Sequence, residues 1–122
     1  MSKFNFPADL EELDRRLYAR IDLGEGYSLS ARAHCGSYAT VGGYRIMDLG
    51  MGYRPPKEIV DTWELALLGP NGVMNPRHVP GLTDALPWVD DRWEDFGEMV
   101  VAGYIGVEHV QEFIDWMRSN HE

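Results

Sequence analysis

The residue types able to do chemistry are few, and Cys35 comes first because a thiolate is a strong nucleophile. It needs a base or a positive field to form near neutral pH, and the histidines available are His34, His78, His109 and His121. On a strand, His34 points away from its neighbour's face. A lone cysteine is far more often a small packing residue than a nucleophile.

The run Asp90-Asp91-Arg92-Trp93-Glu94-Asp95 has carboxylates at i and i+4, a spacing that places oxygen ligands on one helix face as a hard cation such as magnesium requires. It does not follow the calcium-loop pattern: with Gly97 at the sixth position, the first ligand would be Arg92. Such clusters are common on solvated helices. Gly24-Glu25-Gly26 and Gly50-Met51-Gly52 lack the third glycine and the strand-to-helix setting of a dinucleotide fingerprint, and read as turns. There is no Gly-x-Ser-x-Gly, His-Glu-x-x-His, phosphate-loop lysine motif or zinc-type cysteine pair. No catalytic residue, metal or cofactor is therefore assigned, and the chain reads as a non-enzyme.

Charge is more informative. The formal net is -9, and from Asp84 onward ten carboxylates face only Arg92 and Arg118. The 83 residues before are nearly neutral. One sign of potential over this last third repels nucleic acid and attracts basic partners, although acidic faces also serve solubility alone. Trp88, Trp93 and Trp116 lie among these carboxylates, as rigid interface anchors do. Trp93 falls on an apolar stripe, so Trp116 is the better candidate for exposure. The expected partner-binding set is Asp90, Asp91, Glu94, Asp95, Glu98, Glu108, Glu112, Asp115 and Trp116.

These residues are positioned by elements that the periodicity outlines. Pro7 at a first helical turn, then Leu10, Leu13, Leu17 and Ile21, predict an amphipathic helix over 7–21, with Asp9, Glu11 and Glu12 near its start and Arg15, Arg16 and Arg20 near its end. Alternation from Tyr27 predicts a strand over 27–34, paired antiparallel with 43–51. Residues 56–68 fit helix or strand; Gly69-Pro70-Asn71-Gly72 is turn chemistry, which favours a strand over 61–68 and a hairpin. Residues 75–87, with Pro76, Pro80 and Pro87, read as a loop crossing the surface. Val89, Trp93, Phe96 and Val100 predict a helix over about 88–96. Val107, Val110, Phe113, Ile114 and Met117 predict another over 107–118, its carboxylates outward.

The sum is one α+β domain over 1–122: an antiparallel sheet of three or four strands within about 27–75, an N-terminal helix, and one or two C-terminal helices. The longest near-apolar run, Met99 to Val107, is too short and glycine-broken to span a membrane. A single cysteine and no basic-then-apolar leader predict a cytoplasmic protein.

Two functions follow. The first is a non-enzymatic acidic interaction protein that occupies a basic surface of a protein partner, such as a nuclease, a CRISPR effector, another nucleic-acid-binding protein or a toxin, as inhibitors, immunity proteins, antitoxins and nucleic-acid mimics do. It would not bind nucleic acid directly or enter a membrane. The second is a small enzyme or ligand-binding domain with a pocket near Cys35, His78 and the Asp90 to Asp95 cluster.

Overall fold

The computed structural model describes residues 3–11, 17–95, 97 and 100–121. Its centre is the strand β5, Val60–Gly69, in which apolar Trp63, Leu65 and Leu67 alternate with Glu64, Ala66 and Leu68. Trp63, Leu65 and Leu67 are fully buried, so this face of the strand is the core face. The segment is a strand, as its turn chemistry predicts, and the Gly69 to Gly72 turn closes a hairpin with β6, Gly72–Met74.

β5 is partnered along both edges, always antiparallel. On one edge it pairs with β2, Tyr27–Arg32, from Leu68 opposite Ser28 to Glu64 opposite Arg32. The same edge then meets β3, Thr40–Val41. On the other edge it pairs with β8, Val100–Gly106, and then with β6. β1, Leu17–Gly24, extends the sheet beyond β2; β4, Tyr44–Arg45, lies beyond β3; and β7, Trp93–Asp95, lies beyond β8. Among the described residues the sheet has eight strands, over 17–106 rather than 27–75, in place of the three or four expected. The near-apolar run, too short to span a membrane, supplies from Val100 to Gly106 the strand β8, which flanks β5. Residues 43–51 do not pair with β2; they hold β4 and a 3-10 turn at Ile46–Asp48, while β2 lies between β1 and β5.

Of the helices, α1 is Leu82–Ala85, α2 is Trp88–Arg92 and α3 is Val107–His121. The helix expected at 107–118 is present and runs on to His121; Val110, Phe113, Ile114 and Met117 are fully buried and Val107 is half-buried. α3 packs against β1, β5 and β8. The ring of Trp93 stacks on Phe113 at 5.3 Å, and Trp63 meets Phe6 and Tyr18 edge-on at 4.9 and 5.1 Å. No helix among the described residues is long and apolar enough to cross a membrane.

Two expected helices are corrected. No N-terminal helix is seen: residues 6–9 make one turn and 17–24 is strand, while Glu12, Leu13, Arg15 and Arg16 lie outside the described residues. The misleading signal is spacing by four, because positions four apart share a face on a strand as well as on a helix. Ala19, Ile21 and Leu23 are buried while Arg20 and Asp22 are exposed, which is a period of two. Residues 3–11 instead form an irregular strap, tied down where Gln111 accepts from Phe6 N at 2.7 Å and donates to Phe4 O at 2.7 Å, and where Lys57 Nζ donates to Ala8 O and Leu10 O at 2.8 Å. The helix expected over 88–96 stops at Arg92, since Trp93 reaches the core by pairing with Ala102 in the sheet. Phe96 lies outside the described residues. The proline-rich 75–87 segment is more than a surface loop: it holds a 3-10 turn at Pro76–His78 and α1, and buries Pro76, Val79, Leu82 and Leu86.

Because Phe113 is fully buried beneath the sheet, Phe113→Ala should cost about 3–5 kcal/mol in a denaturant melt. A loss below about 1 kcal/mol would mean that the α3 stripe is not core.

Candidate functional site

The face of the sheet opposite α3 carries the polar positions of the strands, and an irregularity in β5 and β8 shapes it. Between Trp63 and Leu65 on β5, the partners on β8 are Ile105 and Ala102, so β8 spends one residue more than β5. The extra length is Gly103-Tyr104, and Tyr104 sits at a φ of 57°, in the left-handed region. Opposite this bulge, the chain between β2 and β3 leaves the sheet as an excursion over 33–39. Its turn is closed by Ser37, whose Oγ accepts from His34 N at 2.7 Å and donates to His34 O at 2.6 Å. Tyr104 N donates to Tyr38 O at 2.8 Å, which docks the excursion on β8. Gly103 allows the approach, since a Cβ there would lie 2.7 Å from Tyr38 Cβ.

Glu64 is enclosed by this arrangement and is only 7% exposed. Burial pushes its carboxyl up from the ordinary range; Arg32 opposite it, His34 and a backbone hydrogen bond from Tyr38 each pull it back down. Beside it is a cavity of about 180 Å³ lined by Arg32, Glu64, Ala66, Val73 and Val101 among others. A second, more open groove of about 270 Å³ is lined by Tyr38, Asp91, Arg92, Glu94, Val101 and Tyr104 among others. Val101 lines both, so the two are neighbouring lobes on this face.

The expected acidic set is divided between this depression and other surfaces. Asp91 and Glu94 line the groove. Asp90 is engaged by Arg77, whose Nε donates to Asp90 Oδ1 at 2.7 Å. Asp95 accepts from Gly97 N at 2.8 Å and from Asn75 Nδ2 at 3.4 Å. Glu108, Glu112 and Asp115 lie on α3, toward the other face. Glu112 is linked to α2 by Trp88 Nε1, which donates to it at 2.7 Å, and Asp115 accepts from Gln111 Nε2 at 3.0 Å. Trp116 is half-buried, close to Gly81. Glu98 lies outside the described residues.

Cys35 and His78 line neither lobe of the depression. His34 Nδ1 donates to Cys35 O at 2.8 Å, so the neighbouring imidazole faces a carbonyl. Among the described residues no group of three or more His, Cys, Asp or Glu is placed to hold a metal ion. Arg32, Tyr38, Glu64 and Tyr104 were not singled out from the sequence; the one local signal was Glu64, an acid between Trp63 and Leu65 in an otherwise apolar strand. Compared with protein-family models, with curated proteins and with solved structures, the chain has no match.

The raised Glu64 carboxyl has a consequence for stability. The folded protein holds this proton more tightly than the unfolded chain, so ionisation opposes folding as pH rises through and above the ordinary glutamate value of about 4.3. Glu64→Gln should therefore be more stable than wild type at pH 7, and the difference should shrink as pH is lowered through that window. Chemical melts between pH 4 and 7 that show the variant less stable at neutral pH would contradict the assignment.

Proposed function

We propose that this is a non-enzymatic interaction protein that offers the acidic edge formed by α2 and β7 to a basic surface of a protein partner, with the α3 carboxylates adding to the negative potential. The observation that carries the reading is that Asp91, Glu94, Glu108 and Asp115 are exposed or at a groove rim, and no cation among the described residues pairs with any of them. Left unpaired, these charges are available for attraction at a distance. A partner whose own function needs a cationic surface is the natural complement: a nuclease, another nucleic-acid-binding protein, or a toxin active site. The protein would act there as an inhibitor, immunity protein or antitoxin.

The second reading, a small enzyme or ligand-binding domain, draws on buried Glu64 beside Arg32 in a cavity. That cavity, at about 180 Å³, falls below the roughly 300–1,000 Å³ typical of small-molecule sites. Size therefore favours the first reading.

Capture from the producing cell or its host would supply the partner, and titration of the purified partner is the test. Affinity should fall between about 50 and 500 mM salt, which places the Debye length on either side of about 10 Å. The combined variant Asp91→Lys, Glu94→Lys and Glu108→Lys should slow association by about tenfold or more at low salt, with under about 1 kcal/mol of stability change per site. An affinity indifferent to both salt and charge reversal would contradict the proposal.

A further inference from the structure

The larger lobe of the depression has a composition that discriminates among basic partners. Two of its walls are carboxylates, Asp91 from α2 and Glu94 from β7, and neither has a cationic partner among the described residues. Another wall is aromatic: Tyr38, 38% exposed, and Tyr104, their ring centroids 5.8 Å apart. Among the described lining residues the cation is Arg92, whose Nη2 donates to Tyr104 O at 2.7 Å and Gly103 O at 3.3 Å and so fastens the bulge rather than neutralising the acids, while Arg45 approaches Tyr104 from beside the groove. Beyond Val101, the smaller lobe is lined in part by Ala66 and Val73, the latter 52% exposed.

Concavity, acid walls and a ring face are what a guanidinium uses, since it is planar, donates in a fork that matches a carboxylate, and stacks on aromatic rings. An ammonium uses the charge but gains less from the ring. Nucleic acid is repelled by the uncompensated carboxylates. We propose that this groove receives an arginine side chain of the basic partner, with Asp91 and Glu94 as counter-charges, a tyrosine ring as the stacking surface, and the apolar lining beyond Val101 under the neighbouring residues. The inference rests on the acidic edge being the partner-facing surface. Arg92 stands in the same groove and opposes a second cation, so single-site binding is weak and salt-sensitive.

The test titrates the full chain at about 50 mM salt with a three-arginine peptide and a three-lysine peptide, followed by calorimetry or amide shifts. The arginine peptide should bind about threefold or more tighter than the lysine peptide. Asp91→Asn with Glu94→Gln should weaken the arginine peptide about tenfold, whereas Glu11→Gln with Glu58→Gln, both exposed and outside the acidic edge, should change it less than about twofold. Tyr104→Gly, at a φ that glycine adopts freely, should reduce the preference for arginine while leaving the backbone in place. Equal losses from the two paired variants without any arginine preference would overturn the groove. No binding of the arginine peptide also overturns the groove; the acidic-edge reading falls separately, if the partner's affinity ignores salt.

Discussion

A ten-residue strand with hydrogen-bonding groups on both edges, running through the middle of a small domain, must find partners for all of them, because unpaired buried backbone polar groups are costly. β5 meets this demand with short strands placed end to end: β2 then β3 on one side, β8 then β6 on the other. The remaining strands are second neighbours that flank these. One face of β5 supplies Trp63, Leu65 and Leu67 to a core that α3 closes with Val110, Phe113, Ile114 and Met117.

Because two strands share each edge of β5, the chain must leave and re-enter the sheet beside its midpoint. β2 ends opposite Glu64 and β3 begins opposite Thr62, and the excursion between them lies over the sheet's outer face. On the other edge the Gly103-Tyr104 bulge falls at the same level. Excursion and bulge are joined by the Tyr104 to Tyr38 backbone bond, and Glu64 is caught between them. The pairing of the central strand thus leads directly to a buried carboxyl, an aromatic pair and a depression. Arg92, donating to both bulge carbonyls, connects α2 to the same point and brings Asp91 and Glu94 to the rim.

Where one periodicity was consistent with only one kind of element, the sequence could be read. The α3 stripe is such a case and is present; the strand before the Gly69 to Gly72 turn, whose periodicity fitted helix or strand, was legible only through the turn chemistry that follows it. Where the spacing was four, helix and strand shared the signal: Ile21 belongs to β1, and Trp93 begins β7 although it follows Val89 at helical spacing. Only cross-strand pairing, of Ile21 with Leu29 and of Trp93 with Ala102, separates the two cases, and the spacing of apolar residues within one element does not show it. The same limit hid the depression. Arg32, Tyr38, Glu64 and Tyr104 are separated in sequence and meet through a bulge whose position depends on pairing register. The surplus of charge was legible because it is compositional, but its engagement was not: Asp90 is held by Arg77, while nearby Asp91 lines the groove.

In the proposed function the acidic edge and the groove on the outer face of the sheet act as one surface that receives a basic protein. Hydrogen exchange on the captured complex tests this most directly. On binding, amides of 34–38, 91–95 and 101–104 should slow together, while those of 44–59, where Tyr44 and Met51 are exposed, keep their rates. Protection confined to 44–59, with the groove segments unchanged, would contradict it.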